Sequence, residues 1–303
     1  MSAYPSDIPF FERPNLDDRR VRKRFDPQTA TFVLRMAEDG GALIDLGEEG
    51  RALCDRAVAE TDPYFADGKV SRVQDAWHRS TAIRRLANLP LIRKRLKAAY
   101  GRNPFAFQTL NFQRGSQQHF HSDIMHFSSL PARFMCGVWI ALEDIAPDSG
   151  PLVYKLGSHR APVLTMHDAG VTNVHPTHDD YEHYYVPHFA AWLEAANLPT
   201  ETLVIKKGQA FVWAANLAHG GSAIANPSAT RRSLVVHYFF EGCLYLTPRF
   251  SNFATGALHL RLPPDLRTGL WQWPVAGWRP ARLPFRMLRD ALKERLKGEP
   301  ILY

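Results

Sequence analysis

The spacing of hydrophobic positions changes once along the chain. Before about residue 103 it is helical: Phe32, Val33 and Met36 share one side of Thr29–Asp39, and Gly40-Gly41 close that segment. Two further helices are predicted over Glu48–Glu60 and Leu91–Tyr100, the second entered through Pro90, and a short apolar run, Ala42–Leu46, follows the paired glycines. From Pro104 the pattern becomes that of strands. Phe105–Phe112, Phe134–Leu142, Leu203–Ile205, Ala210–Trp213 and Ser233–Phe240 are short, aromatic and β-branched, and Gly, Pro, Asn and Asp separate them. Between Gly157 and Glu201 no strand pattern is visible; one helix is predicted around His188–Ala196, and His167, His175, His178, His183 and His188 crowd the stretch. So long an interruption between strands usually serves a function, often as a lid over a site. Beyond Phe250 the chain is rich in Pro and Trp, and Arg282–Lys297 then sets Phe285, Leu288, Leu292 and Leu296 at helical spacing under a basic outer face. That face is expected to be solvated, with contact to a membrane surface or a partner as the other reading.

The fold class expected is mainly β with flanking helices, in a single catalytic domain over 1–303. Within it, 1–103 form a helical N-terminal flank, 104–245 the β core with an insert or lid over 159–200, and 246–303 a C-terminal extension with the basic helix. With 45% hydrophobic and 22% charged residues the chain is an ordinary soluble protein, which excludes disorder, collagen and coiled coil. No apolar run reaches about 18 residues, the length a membrane span needs, and Met1–Arg24 lack an apolar signal core, so the expected location is cytoplasmic. Cys54, Cys136 and Cys243 are odd in number and far apart, which argues against disulfides and a Cys-based zinc site. The net charge of +7 suggests an anionic substrate such as a CoA thioester, a carrier-bound acyl group or an acidic sugar. Much of the excess lies towards the two ends, however, as in Arg19–Arg24, and no nucleic-acid module accompanies it, so nucleic-acid binding is not expected.

Thirteen histidines are the oddity of the composition, because imidazole is the commonest metal ligand. Non-heme ferrous oxygenases hold iron with two His and one carboxylate on one face, leaving the other positions open. Residues i and i+2 of a strand point the same way, so a His-x-Asp there offers both side chains to one ion. The chain has two such triplets, His121-Ser122-Asp123 and His178-Asp179-Asp180. The second lies in the strandless stretch beside Pro176, where nothing fixes its direction. The first follows the strand ending near Gln113 and a Gly115-Ser116 turn, in what reads as another strand; the bland alternative is a core histidine beside a surface aspartate. A third ligand would come from a distant strand, and His219, after Gln209–Trp213 and before Gly220-Gly221, fits. Arg231-Arg232-Ser233 then head the strand to Phe240, where an Arg would clamp a carboxylate through paired hydrogen bonds or simply end a surface strand.

Taken in order, several blocks resemble the phytanoyl-CoA dioxygenase family over about residues 30–245. They are Gln118-His119-Phe120-His121-Ser122-Asp123, Val138–Asp144, Asp148–Leu152, Gly157-Ser158-His159, Lys207-Gly208, Ala218-His219-Gly220 and Arg231-Arg232-Ser233. The resemblance implies a double-stranded β-helix (a cupin-like jelly roll) binding Fe(II) and 2-oxoglutarate. It makes His121, Asp123 and His219 the iron ligands and Arg231 the clamp for the far carboxylate, with Arg232 as the alternative. Ser233, which shares strand parity with Arg231, and Gln118 belong with the cosubstrate. Two departures stand out: Leu156 replaces a frequent Pro, and Tyr154 stands where some members carry a Trp near the cosubstrate. The implied reaction uses O2 to hydroxylate an unactivated C–H bond of a small-molecule or carrier-, CoA- or glycan-linked substrate, releasing succinate and CO2; the carboxylate of Asp123 favours hydroxylation over halogenation. His119, His126, His159 and His237 are expected in structural or substrate-side roles. The competing classes are a cupin-like metal-dependent isomerase or hydrolase and a non-catalytic jelly-roll binding protein. Neither requires Arg231 together with Gln118.

Overall fold

The structure, a computed structural model, describes residues 7–303 apart from 277, 278, 282, 284–286, 290 and 294–297. Its first eleven strands are β1 (Gly41–Asp45), β2 (Arg72–Gln74), β3 (Pro104–Phe112), β4 (Ser128–Leu130), β5 (Met135–Ala141), β6 (Leu152–Lys155), β7 (Thr200–Leu203), β8 (Gln209–Ala214), β9 (His219–Gly221), β10 (Ser233–Phe240) and β11 (Leu244–Leu246). Seven strands form the larger sheet in the order β1-β8-β5-β10-β3-β2 and then Ile301–Leu302, while β7-β6-β9 form a smaller one. Every pairing is antiparallel.

The two sheets close on each other through side chains of alternating parity. Trp139, Phe211, Trp213 and Val235 from the larger sheet pack with Leu152 and Leu203 from the smaller one. Strands β5 and β10 are buried along their whole length, because the other face of the larger sheet is covered as well. The cover is helical: α1 (Asp18–Arg24), α2 (Pro27–Asp39), α3 (Gly47–Thr61), α4 (Thr81–Leu86) and α5 (Pro90–Tyr100). Helix α2 starts where Asp26 accepts the Thr29 amide at 2.9 Å and stops at Gly40, whose φ of 79° a side chain would resist. Helix α4 escaped the sequence reading because it is only six residues long, with just Ala82, Ile83 and Leu86 for its apolar stripe.

Three features differ from the expected organisation. The β core is not confined to 104–245, since β1 and β2 from the N-terminal flank and Ile301–Leu302 from the C-terminal extension all pair into the larger sheet. The Ala42–Leu46 run is mostly an edge strand, its inward residues Ala42 and Ile44 buried and Leu43 exposed. The insert is more helical than expected, with a helical turn His178–Asp180 and a π-type turn Tyr181–Tyr185 leading into Val186–Ala196. Tyr181, Tyr185 and Phe189 stack along its inner side at centroid distances of 5.3 and 6.0 Å, and the Asn252 amide fastens the insert through the carbonyls of Thr172 and Asn173. Of the basic helix expected over 282–297, residues 287–289 and 291–293 are helical, and Arg282, Phe285 and Leu296 lie outside the described residues. All three cysteines are buried free thiols, and no helix among the described residues is long and apolar enough to cross a membrane.

Candidate metal centre

His121 and Asp123 do not sit on a regular strand. His121 makes a single β-bridge with His219, amide to carbonyl both ways at 2.9 and 3.0 Å, and Asp123 opens a one-turn helix, Asp123–Met125. Across this bridge the two imidazole centroids lie 4.4 Å apart. Gly220 and Gly221 permit it: a Cβ on either would come within 3.0 Å of the backbone of residues 117–118, so only glycine lets the loop before His121 lie against β9.

Each imidazole is turned by its other nitrogen. His121 Nδ1 lies 2.9 Å from the His119 carbonyl and His219 Nδ1 lies 3.0 Å from the Leu217 carbonyl. A carbonyl only accepts, so Nδ1 carries the proton in both rings and each Nε2 presents a lone pair. Those Nε2 atoms lie 3.8 and 3.9 Å from the two carboxylate oxygens of Asp123. One ligand atom from each of the three residues falls within 4.8 Å of the others, and no second such group of His, Cys, Asp or Glu occurs among the described residues. The carboxylate is itself held: the Trp213 indole N–H donates to Oδ2 at 2.8 Å, and His237 Nε2 lies 3.6 Å from the same oxygen. Burial pushes the Asp123 carboxyl up, but its interactions with His219, His237 and His121, the hydrogen bond to His237 among them, outweigh burial and hold the group well below the usual carboxylate range. Burial and the neighbouring His121 push His219 down to about 4, which keeps it neutral, as a ligand must be.

The triad opens on a cavity of about 580 Å³ that Gln118 and Arg231 also line. The two candidate arginines, which immediately precede β10, diverge here. Arg231 is 3% exposed; its guanidinium lies 5.3 Å from the Trp139 ring and 5.9 Å from the Phe112 ring, and Nη2 donates to the Arg114 carbonyl at 3.3 Å. Its Nε has no hydrogen-bond partner, and burial lowers its pKa to about 10, still cationic at neutral pH. Arg232 is spent elsewhere: Nε and Nη2 grip Asp62 at 3.0 and 3.1 Å, and Nη1 reaches Glu143 at 3.2 Å. Ser233 follows Arg231's parity, fully buried with Oγ unpartnered. Tyr154 pairs in register with His219, but its ring packs on Phe211 at 4.7 Å and is not among the cavity-lining residues.

The second His-x-Asp forms no metal group. His178 lies at the mouth of the same cavity beside Glu182 at 3.7 Å, while Asp180 is turned back to cap its own helix through Thr177. His119 is exposed and contributes its carbonyl only to His121. Sequence reasoning passed over Trp213 and gave His237 a structural or substrate-side role; both lie against the carboxylate of Asp123. The parity of β10, in which Ser233, Val235 and His237 alternate in step with Arg231 just ahead of the strand, was the signal for His237. Nothing local marked Trp213. Arg72, Arg249 and Arg261, which also line the cavity, come from segments far apart in the chain.

Among solved structures, EctD from S. alaskensis with bound Fe aligns at a TM-score of 0.57 and 17% identity, covering 94% of this chain and 99% of that one. The non-heme alpha-ketoglutarate-dependent carbocyclase SnoK of nogalamycin biosynthesis aligns at 0.55 and 17%, over 74% and 88%. These likenesses establish the fold, a cupin-like double-stranded β-helix. The peroxisomal phytanoyl-CoA dioxygenases of Rattus norvegicus and Bos taurus are 25% and 24% identical over 205 and 204 residues, 64% and 63% of this chain. The alignment spans 56% of the length of each of those relatives. The family model for phytanoyl-CoA dioxygenase matches residues 36–233, a span that runs from α2 to the head of β10 and includes His121, Asp123, His219 and Arg231. On that match the chain belongs to the phytanoyl-CoA dioxygenase family.

Proposed function

We propose that the protein is an Fe(II)- and 2-oxoglutarate-dependent dioxygenase that hydroxylates an unactivated C–H bond of a small-molecule substrate. The observation that carries this reading is the pairing of a two-His, one-carboxylate group with a buried, half-satisfied arginine in one cavity. The donor set fits a ferrous ion: two neutral imidazoles with free Nε2 lone pairs and one ionised carboxylate, with no thiolate. His121, Asp123 and His219 would hold the ion on one face. Bound there with 2-oxoglutarate, it supplies the O2-dependent oxidation that releases succinate and CO2.

The remaining work falls to the chain's own side chains. Arg231 receives the far carboxylate of 2-oxoglutarate through charge-assisted hydrogen bonds and Gln118 closes the near side, while Ser233, fully buried, is not among the cavity-lining residues. Trp213 and His237 keep Asp123 from rotating. Trp139, Leu152 and Val235 wall the cavity with apolar surface that excludes water. A cupin-like isomerase or hydrolase has no need for a cation buried at such cost beside the metal site. All of 7–303 acts as one catalytic unit in this reading, since both flanks supply strands and cavity residues, and the buried free thiols suit the reducing cytoplasm.

The test is direct. Anaerobic protein given Fe(II) and 2-oxoglutarate is expected to develop a weak visible absorption band and, on admission of air, to convert 2-oxoglutarate to succinate. Wild-type protein that binds Fe(II) but gives no band would overturn the reading.

A further inference from the structure

We infer that His126 positions the substrate: held in one tautomer by Tyr181 of the insert, it presents an Nδ1–H donor to the metal cavity and so selects a substrate that carries a carbonyl or hydroxyl oxygen close to the C–H bond attacked. The inference rests on the oxygenase reading above and adds to it a residue and a feature of the substrate.

His126 stands at the end of the one-turn helix that Asp123 opens. Its amide donates to the Asp123 carbonyl at 2.9 Å, and its ring lies nearly perpendicular to that of His121, with 6.4 Å between centroids. The backbone thus roots the side chain beside two of the three metal ligands, and the residue lines the same cavity as all three. The insert holds the other end of the ring. Tyr181, from the π-type turn, brings its own ring to 5.3 Å from the imidazole, and its hydroxyl lies 3.2 Å from Nε2. Tyr181 is itself held in place, stacked on Tyr185 and with the Arg249 guanidinium 5.6 Å from its ring.

The direction of the Tyr181–His126 bond follows from what each group can do. A buried phenol gives its proton to an acceptor, and His126 Nε2 is the only hydrogen-bond partner of the Tyr181 hydroxyl among the described residues. Burial pushes the phenol up to about 12, so at neutral pH the proton stays on the tyrosine oxygen. Nε2 is therefore the acceptor, and the neutral imidazole carries its own proton on Nδ1. Nδ1 has no hydrogen-bond partner among the described residues, and it is not a buried atom, so it opens on the cavity that His126 lines. An N–H without an acceptor in a partly desolvated site costs free energy, and a substrate oxygen supplies the acceptor. Held there, that oxygen sets its neighbouring carbons on the side of the cavity where His121, Asp123 and His219 lie. The same bond ties substrate selection to the insert, since without Tyr181 nothing fixes which imidazole nitrogen bears the proton.

The probes are cyclohexanone, which offers a carbonyl oxygen, and methylenecyclohexane, which matches it in shape without that acceptor. Protein loaded with 2-oxoglutarate and with Mn(II), a paramagnetic stand-in for Fe(II), is titrated with each, and binding is read from the relaxation that the metal imposes on the probe's protons. His126→Phe should weaken cyclohexanone binding about two- to tenfold, the span of one neutral hydrogen bond, and leave methylenecyclohexane unchanged. Tyr181→Phe should weaken it in the same direction by less, and His126→Asn, whose amide keeps a donor on the short side of the ring, should restore part of it. The tautomer is read separately from nitrogen-15 spectra of the histidines in Zn(II)-loaded protein, with His126 assigned by the signal that His126→Asn removes: the proton is expected on Nδ1 in wild type and shared between the nitrogens in Tyr181→Phe. A wild-type proton on Nε2 overturns the inference even if the His126→Phe variant does not fold. So does cyclohexanone binding that is absent in wild type or equal in wild type and His126→Phe. Any of these failures beside a visible Fe(II)–2-oxoglutarate band defeats this inference alone, whereas absence of the band defeats the reading beneath it.

Discussion

Trp213→Phe isolates one bond in the metal site. The indole N–H is the strongest hold on Asp123, donating to Oδ2 at 2.8 Å in a site where both residues are almost fully buried. Phenylalanine keeps an aromatic ring against His219, whose centroid lies 4.6 Å from the indole, and deletes the donor. A hydrogen bond to a charged acceptor contributes about 1.5–3 kcal/mol. Spread over metal binding, that corresponds to roughly a 10- to 100-fold loss of Fe(II) affinity, the range found when an outer partner of a metal ligand is removed. Gly137→Ala reaches the same bond from behind: a Cβ there would lie 2.2 Å from the indole ring, so the ring must shift and draw its N–H away from Asp123. Fe(II) affinity is read anaerobically by competition with a colorimetric chelator, and metal-free melting curves show whether the fold is intact. If both variants fold and both bind Fe(II) within twofold of wild type, Asp123 is not positioned by Trp213 and the reasoning fails.

The other predictions concern residues that sequence alone could not separate. Arg231→Gln should weaken 2-oxoglutarate binding at least 100-fold by calorimetry with little effect on folding, whereas Arg232→Gln should leave that binding unchanged and cost about 1–2 kcal/mol of stability in urea, through its bonds to Asp62 and Glu143. His178→Ala should retain stoichiometric Fe(II), measured by metal analysis after desalting; loss of the metal would overturn the ligand assignment. Glu12 gives a pH signature remote from the site: burial raises its carboxyl from 4.5 to about 7 against the opposing pull of Arg133. Its folded pKa lies above the unfolded one, so its contribution is full below pH 4.5 and is lost as pH rises through 7, by about 3 kcal/mol at most. Glu12→Gln should flatten the decline in stability between those limits in urea titrations at a series of pH values.

Much of the organisation was legible from local pattern. The change from helical to strand period at Pro104 marks the long strand β3, and β5, β8 and β10 lie where their aromatic and β-branched runs predicted, because buried central strands must be apolar on both faces. Less was legible where an element draws its stability from a distant partner. β2 and Ile301–Leu302 are too short to carry a period of their own; β2 is a strand because β3 offers an edge, and Ile301–Leu302 because β2 then offers the next. The π-type turn in the insert is hidden likewise, since its inner residues Tyr181 and Tyr185 are as polar by type as their exposed neighbour Tyr184.

For the site, the sequence by itself determined which residue types stand ready: a His-x-Asp, a histidine before two glycines and an arginine pair at a strand head. Their chemistry is intrinsic to the side chains, and the order of the blocks along the chain is a one-dimensional property. Only the tertiary structure decided which of two His-x-Asp triplets meets a second histidine able to complete a metal group, which arginine faces inward, and which groups hold the carboxylate. Those outcomes turn on a β-bridge between residues 121 and 219, on strand parity beneath a closing sheet, and on the absence of a side chain at Gly137, where a Cβ would come within 2.2 Å of the Trp213 indole. Each is a contact between segments distant in the chain, and hydrophobic period records only which face of an element is buried, not what waits on the other side.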